Sequence, residues 1–210
     1  MQNTVEYIKN KIGNINLDYI LMDLKVRDGI DKVLDKLAEE DPFIDILINN
    51  AGVFTEVDEK RLFKNVSEEE FLNVWDVNFK GTKALSDQVA SIMVGKKIEG
   101  SIITVSSICA DFRNYQYTPY GISKAAITKY SESLRRRYGS LNICCIKPGS
   151  VATGMGNLGI GDNIAKGCNV LNRVALPEEI AAQAAFLAAG FGKYLNETEG
   201  KLNVSACEVL

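Results

Sequence analysis

The sequence predicts an α/β fold, with a doubly wound parallel sheet, in one domain that spans residues 1–210. Short apolar runs alternate with longer amphipathic segments along the whole chain. Apolar runs of this length indicate strands that are buried on both faces, and parallel strands need helical crossovers between them. No repeat or low-complexity tract interrupts this alternation, which favours a single domain.

Five apolar runs are predicted to be strands. They cover residues 19–22, 44–48, 102–105, 141–146 and 202–204. Small and polar residues follow four of these runs, at Asp23, 49–52, Ser106–Ser107 and 148–153. Because parallel strands end at the same edge of a sheet, we expect these segments to lie together there and to form the ligand site.

Amphipathic segments between the runs are predicted to be helices. Their predicted first residues or N-caps are residue 2, Asp28, Ser67, Thr118 and Pro177. Ser67 followed by Glu70 is a capping box, and Pro119 stands where the first turn of a helix tolerates proline. The last of these helices is expected to run to about residue 189.

The chain contains no histidine. This excludes Ser-His-Asp triads, Cys-His pairs and H-E-x-x-H zinc sites, so proton transfer must use Tyr, Lys, Asp, Glu, Cys or a cofactor. The five cysteines form no C-x-x-C pair and no cluster at zinc spacing. We therefore predict no metal site and a reducing compartment.

Charge and hydropathy point to a cytoplasmic protein. The net charge of −3 provides no electrostatic footprint for nucleic acid or for an anionic membrane. The basic run Arg135–Arg137 is expected to lie at the exposed end of a helix. The sequence shows no signal peptide and no run of about 18 apolar residues, so neither secretion nor a membrane span is predicted.

Tyr120 and Lys124 are candidates for acid–base chemistry. They are four residues apart near the start of a predicted helix, so the ammonium can approach the phenol. A lysine charge at that place is expected to lower the pKa of the tyrosine toward neutrality, giving a general acid or base without imidazole. Tyr7 and Lys11 have the same spacing but follow no strand end, and we interpret them as a solvated helix surface.

Ser107 stands at a strand end shortly before the segment that leads to Tyr120. Its hydroxyl could hold a substrate oxygen beside the phenol. Ser106 is the competitor for this role, because successive residues of a strand face opposite ways and only one of the two serines can point into the site.

Five motifs in this order resemble the set found in the classical short-chain dehydrogenases/reductases. They are Asn49-Asn50-Ala51-Gly52, Val77-Asn78-Phe79-Lys80-Gly81, Ser107, Tyr120-Gly121-Ile122-Ser123-Lys124 and Pro148-Gly149. The resemblance extends over residues 18–210. It implies a Rossmann-like fold and hydride transfer between NAD or NADP and a small-molecule carbonyl or secondary alcohol. It also implies a homodimer or homotetramer, formed through the helices that carry Trp75 and Tyr120.

The resemblance also implies roles for four residues. Tyr120 would donate or accept the proton. Lys124 would lower the pKa of Tyr120 and bind the nicotinamide ribose. Ser107 would orient the substrate oxygen, and Asn78 would hold a water that links Lys124 to solvent.

The implied cofactor contacts run from the adenine to the nicotinamide. They are Asp23, Leu24, Asn50, Ala51, Gly52, Tyr120, Lys124, Pro148, Gly149, Val151 and Thr153. The first two would contact the adenine, the next three the ribose, and the last two the carboxamide. Independently of the resemblance, small residues such as Ala51 and Gly52 permit the close approach of a ligand.

One part of the family pattern does not occur in these 210 residues, namely the opening strand, its T-G-x-x-x-G-x-G loop and the following helix. Residues 2–12 resemble the helix that leads into the family's third strand. We therefore expect a sheet that lacks its first β-α-β unit, with residues 19–22 left without a neighbour and with weak dinucleotide binding. The G-x-G-x-x-G at 154–159 is expected to be a substrate-side loop and not a substitute.

An alternative function belongs to another class. A relative that has lost its cofactor loop could act as a catalytically silent binding or scaffold protein. Retention of Asn78, Ser107, Tyr120 and Lys124 favours the enzyme over this alternative.

Overall fold

The computed structural model describes residues 2–13, 15–40, 43–54, 66–111, 118–157, 172–191 and 193. The helices are α1 (Gln2–Ile12), α2 (Arg27–Glu40), α3 (Glu68–Trp75), α4 (Thr82–Gly95), α5 (Thr118–Arg137), α6 (Gly154–Asn157) and α7 (Pro177–Phe186). The strands are β1 (Ile46–Asn49), β2 (Ser101–Val105) and β3 (Asn142–Ile146). A π-helical turn, Asp76–Gly81, joins α3 to α4, and a second π-helical turn, Leu187–Phe191, follows α7.

The strands form a parallel sheet in the order β1-β2-β3. Ile46 lies opposite Ser101, and Ile102 lies opposite Ile143. The central strand β2 is buried from Ser101 to Thr104 because helices cover both of its faces. This arrangement confirms the predicted α/β class.

Successive residues of β2 enter two different cores. Ile102 packs with α2, α4 and α5 in a cluster that includes Ile30, Met93 and Leu134. Ile103 packs on the other face, in a cluster with Leu187 and the end of α7. The alternation of side chains along a strand therefore divides the molecule into a sheet between two helical layers.

Three of the predicted strands are confirmed, with ends that differ by one or two residues. The predicted runs 44–48, 102–105 and 141–146 correspond to β1, β2 and β3. The run 202–204 lies outside the described residues.

The predicted helices are also confirmed. At the start of α3, Ser67 Oγ accepts a hydrogen bond from the Glu70 N–H at 3.1 Å, and the Ser67 N–H donates to Glu70 Oε2 at 2.9 Å. The predicted capping box is therefore present on both sides. Arg135–Arg137 form the last turn of α5, as expected.

The prediction of a strand at 19–22 is wrong. This segment forms neither helix nor strand, and Leu21 is 68% exposed while Met22 packs against the core. A strand requires a hydrogen-bonded neighbour, and within the described residues the sheet ends at β1. The edge of β1 is correspondingly open, with Ile46 and Ile48 about half exposed.

Within the described ranges, the structure contains no helix that is both long enough and apolar enough to span a bilayer.

Gly81 brings the π-helical turn close to the segment before α2. A Cβ at this position would overlap the carbonyl oxygen of Leu24, which is part of the backbone and cannot turn away as a side chain can. The absence of a side chain at Gly81 therefore permits close packing of the helix that carries Asn78 against Leu24.

We expect Gly81→Ala to lower the free energy of unfolding by about 1–3 kcal/mol, because the added methyl group overpacks a backbone contact. Urea denaturation measures this change. Gly95→Ala is the matched control, since Gly95 ends α4 with no atom within 4 Å of an added Cβ. Equal stability of the two variants would contradict the prediction.

Candidate active site

The ends of the strands meet at one edge of the sheet, as predicted. The Ser106 N–H donates to the Ile146 carbonyl at 2.7 Å, and the Ile108 N–H donates to the Pro148 carbonyl at 3.0 Å. These bonds join the segment after β2 to the segment after β3. The first turns of α5, which carry Tyr120, lie across the same edge.

Ser107, and not Ser106, faces Tyr120. The Ser107 hydroxyl is hydrogen-bonded to the Tyr120 phenol, and its oxygen also accepts the Cys109 N–H at 3.1 Å. The Ser106 hydroxyl donates instead to the Lys124 carbonyl at 2.9 Å, and it lies 2.7 Å from Thr128 Oγ1. Ser106 therefore fastens α5 to the sheet, which leaves Ser107 to serve the site.

Lys124 is a buried lysine, with 5% of its surface exposed. Its ammonium donates to the Val105 carbonyl at 2.8 Å and lies over the Tyr120 ring, 5.6 Å from the centroid. Burial, which disfavours the charged form, lowers the pKa of Lys124 to about 8.

The expectation that Lys124 lowers the pKa of Tyr120 is not met in this structure. Burial raises the pKa of Tyr120 to about 12, and the hydrogen bond from Ser107 opposes that rise only in part. The Lys124 ammonium approaches the ring rather than the hydroxyl group, and the pKa of the phenol is set mainly by its dehydration.

Asn78 lies in the π-helical turn between α3 and α4 and is 2% exposed. Its Oδ1 accepts the Val53 N–H at 2.8 Å, and its Nδ2 donates to the Val53 carbonyl at 2.9 Å and to Ser123 Oγ at 3.1 Å. The side-chain amide thus joins the segment after β1 to α5. Its implied role of holding a water stays a prediction.

The residues at this edge fit a ligand that carries hydroxyl groups. A Cβ at Gly52 would lie 3.3 Å from Asn78 Oδ1 and 3.5 Å from Lys124 Nζ, so glycine leaves a cradle beside the ammonium. Asn50 and Ala51 are exposed at the rim of this cradle. An ammonium next to an open cradle suits a ribose hydroxyl.

The implied contacts of the nicotinamide end lie after β3. Pro148 is buried, and Gly149 is half-buried. Val151 pairs with Ala175 in a parallel bridge, and the exposed Thr153 donates its N–H to the Val151 carbonyl at 2.7 Å. These residues therefore border the edge that carries Ser107.

The two residues implied to contact the adenine do not follow a strand in the structure. Asp23 is exposed in the turn before α2, where its Oδ1 accepts the Lys25 N–H at 2.9 Å. Leu24 is half-buried against Gly81. Of the G-x-G-x-x-G segment, the structure describes only α6, a single helical turn, and residues 158–171 lie outside the described part.

Two residues that contact Tyr120 were not predicted from the sequence. Ser123 Oγ donates to the Tyr120 carbonyl at 2.7 Å. The Phe54 ring meets the Tyr120 ring edge-on, with centroids 5.1 Å apart and an interplanar angle of 73°. Ser123 lies inside the Tyr120–Lys124 motif and could have been predicted from it. The only sequence signal for Phe54 was its position just after Gly52 and Val53.

In the described part of the chain, no group of three or more Cys, Asp or Glu side chains is placed to hold a metal ion. Burial raises the pKa of the Cys109 thiol, which lies near Tyr120 and Lys124. A thiol with a raised pKa is a poor nucleophile near neutral pH.

Known proteins are similar to this chain over most of its length. The sequence model of the family described as short chain dehydrogenase matches residues 1–165. A 3-oxoacyl-(acyl-carrier-protein) reductase from Chlamydia muridarum is 33% identical over 194 residues, which cover 90% of this chain and 75% of the relative. An acetoacetyl-CoA reductase from an Acinetobacter species is 28% identical over 182 residues, covering 84% of this chain and 71% of the relative.

Solved structures share the fold. The crystal structure of a short-chain type dehydrogenase/reductase from Mycobacterium marinum superposes with a TM-score of 0.81 at 24% identity, covering 97% of this chain and 77% of that one. This likeness shows the fold alone.

The buried ammonium of Lys124 is expected to make stability depend on pH. Its pKa falls from 10.5 to about 8 on folding, so the unfolded chain binds more protons between these values. The free energy of unfolding contributed by this group therefore rises with pH through that window. Below it, the cost of burying the charge is complete, at up to about 3 kcal/mol.

We expect Lys124→Met to stabilise the chain at pH 7 by about 1–2 kcal/mol, because the lost hydrogen bond to Val105 offsets part of that cost. Urea denaturation across the pH range should show the advantage disappearing above pH 10.5. Lys129→Met is the control, since Lys129 is exposed on the same helix. A constant difference between the parent and Lys124→Met at all pH values would contradict the prediction.

Proposed function

The chain belongs to the short-chain dehydrogenase family, and on this premise we propose that it is an NAD(P)-dependent oxidoreductase acting on a carbonyl or secondary alcohol. The observation that carries the proposal is the grouping of Ser107, Tyr120 and Lys124 at the carboxyl edge of a Rossmann-like sheet. Two hydroxyl groups and an ammonium meet there beside an open cradle at Gly52.

The residues beside the cradle would hold the cofactor. Lys124, Asn50, Ala51 and Gly52 would bind the ribose, and the carboxamide would lie against Val151 and Thr153. Asp23 and Leu24 would contact the adenine. When bound, the nicotinamide supplies a hydride to a carbonyl or takes one from an alcohol.

Tyr120 holds the proton of the reaction. A phenol whose pKa is about 12 is protonated at neutral pH, so it can donate to the oxygen of a carbonyl that is being reduced. The Ser107 oxygen already accepts the Cys109 N–H, which leaves its own proton for the phenol or for the substrate oxygen. Ser107 can therefore orient the substrate and stabilise the phenolate that remains.

Lys124 would add a positive charge on the ring side of the phenolate as it forms. Its ammonium is held by the Val105 carbonyl and cannot swing into solvent, because the side chain is buried. A fixed cation in a dry site acts more strongly on a developing anion than a mobile one in water.

The names of the relatives suggest a first substrate. One relative reduces 3-oxoacyl-(acyl-carrier-protein) and another reduces acetoacetyl-CoA, according to their names. A carbonyl compound of this 3-oxoacyl class is the substrate we propose, and acetoacetyl-CoA is the probe that can be added directly.

We expect the 210-residue chain to bind dinucleotides weakly, because its sequence contains no T-G-x-x-x-G-x-G loop to hold the pyrophosphate. Fluorescence titration with NADH and with NADPH measures the dissociation constants. A constant in the micromolar range for either nucleotide would contradict this expectation.

We expect the chain to oxidise NADH or NADPH with acetoacetyl-CoA when the cofactor is supplied at millimolar concentration. Tyr120→Phe should lower kcat/KM by about 10² to 10⁴, because it removes the proton donor. The decrease in absorbance at the nicotinamide band follows the reaction.

Tyr7→Phe is the matched control for this experiment. Tyr7 also has a lysine four residues on, with Lys11 Nζ 5.9 Å from its ring centroid, but Tyr7 is 62% exposed on α1. Its loss should leave the rate unchanged. A folded parent chain without turnover would favour a silent binding protein, and an equal rate in Tyr120→Phe would contradict the role of Tyr120 as proton donor.

A further inference from the structure

We propose that Phe54 is a positioning residue for Tyr120, whose ring it holds in place and shields from water. The assignment rests on the proposed function, because it concerns the same phenol. It adds a residue that stands outside the Ser107, Tyr120, Lys124 and Asn78 set.

The contact between the two rings is direct. Their centroids are 5.1 Å apart and their planes make an angle of 73°, which is the edge-to-face arrangement that aromatic pairs favour. Tyr120 points its hydroxyl group at Ser107, so a ring fixed by Phe54 also fixes the distance between the two hydroxyls. Rotation of the phenol away from Ser107 would break the aromatic contact.

Hydrogen bonds that link Val53, Asn78, Ser123 and Tyr120 fix the position of Phe54. The Asn78 amide makes two hydrogen bonds to the main chain of Val53, at 2.8 and 2.9 Å. The same amide donates to Ser123 Oγ, and Ser123 Oγ donates to the Tyr120 carbonyl. Both rings are therefore anchored to the buried side chain of Asn78. Phe54 is anchored through Val53, and Tyr120 is anchored through Ser123.

The hydrogen bonds of Asn78 therefore restrict the positions of both aromatic rings. Asn78 is 2% exposed, and a buried amide with its hydrogen bonds satisfied has few other positions available. The position of Phe54 is restricted because its main chain follows directly from Val53, which is bonded to Asn78. The position of Tyr120 is restricted through Ser123, which is bonded to the same amide.

Shielding by Phe54 accords with the state of the phenol. Burial is the main cause that raises the pKa of Tyr120, to about 12. Phe54 is one of the apolar groups in contact with that ring, so its removal should admit water and lower the pKa of Tyr120 toward the usual value.

The experiment compares Phe54→Ala and Phe54→Leu with the parent chain. In Phe54→Ala we expect kcat for acetoacetyl-CoA to fall by about ten- to a hundredfold, because the phenol loses its alignment. The KM for the nucleotide should change little, and the alkaline limb of the pH profile should move to lower pH. Leucine keeps apolar bulk at this position, so Phe54→Leu should recover most of the shift in the pH profile.

A second readout does not depend on turnover. Tyrosine labelled with ¹³C at the ζ carbon gives a resonance for Tyr120, assigned by its loss in Tyr120→Phe. In Phe54→Ala this resonance should titrate at a lower pH than in the parent chain. Phe186→Ala is the matched control, because Phe186 forms an aromatic pair with Phe191 at 5.0 Å in another part of the fold.

The outcomes separate the two proposals. If the Tyr120 resonance shifts in Phe54→Ala but no variant and no parent chain turns over, the oxidoreductase proposal fails and the positioning role stands. If the parent turns over and Phe54→Ala matches it in kcat and in the Tyr120 titration, the positioning role is overturned. Should Phe54→Ala fail to fold, Phe54→Val takes its place, and a folded Phe54→Val with the kcat and the Tyr120 titration of the parent overturns the positioning role equally.

Discussion

The buried amide of Asn78 is the interaction on which the site depends. It joins the segment after β1, the π-helical turn and α5, because its hydrogen bonds reach Val53 and Ser123 from a helix between them. A π-helical turn widens the helix locally, and such turns are common at functional sites. Here the turn carries the amide that the neighbouring segments share, so their spacing follows from the need to satisfy one buried polar group.

The charges of the site work against the stability of the fold. Burial lowers the pKa of Lys124 and raises that of Tyr120, which means that the folded chain disfavours the ionised form of both groups. A protein selected only for stability would place apolar side chains there. A buried lysine beside a half-buried tyrosine suits the proposed proton transfer, in which a phenolate has to be stabilised.

Strand formation in the sheet depends on neighbouring strands that are distant in the sequence. Residues 102–105 and 141–146 were predictable because each run is apolar on both faces and lies between helices, and the structure confirms them as β2 and β3. Residues 19–22 are also apolar but form no strand, since strand formation requires a hydrogen-bonded neighbour that composition does not reveal. Exposed Ile46 and Ile48 on β1 mark the same unpaired edge.

The sequence by itself determined the α/β class, the helix starts and the sheet edge where Ser107, Tyr120 and Lys124 meet. These features depend on local periodicity, on capping residues such as Ser67, and on the rule that parallel strands end together. Only the tertiary structure decided that Ser107 faces the phenol, that Phe54 packs against it, and that burial is the main influence on the pKa of Tyr120. Each of these depends on packing and dehydration by residues far apart in the chain, which no local pattern encodes.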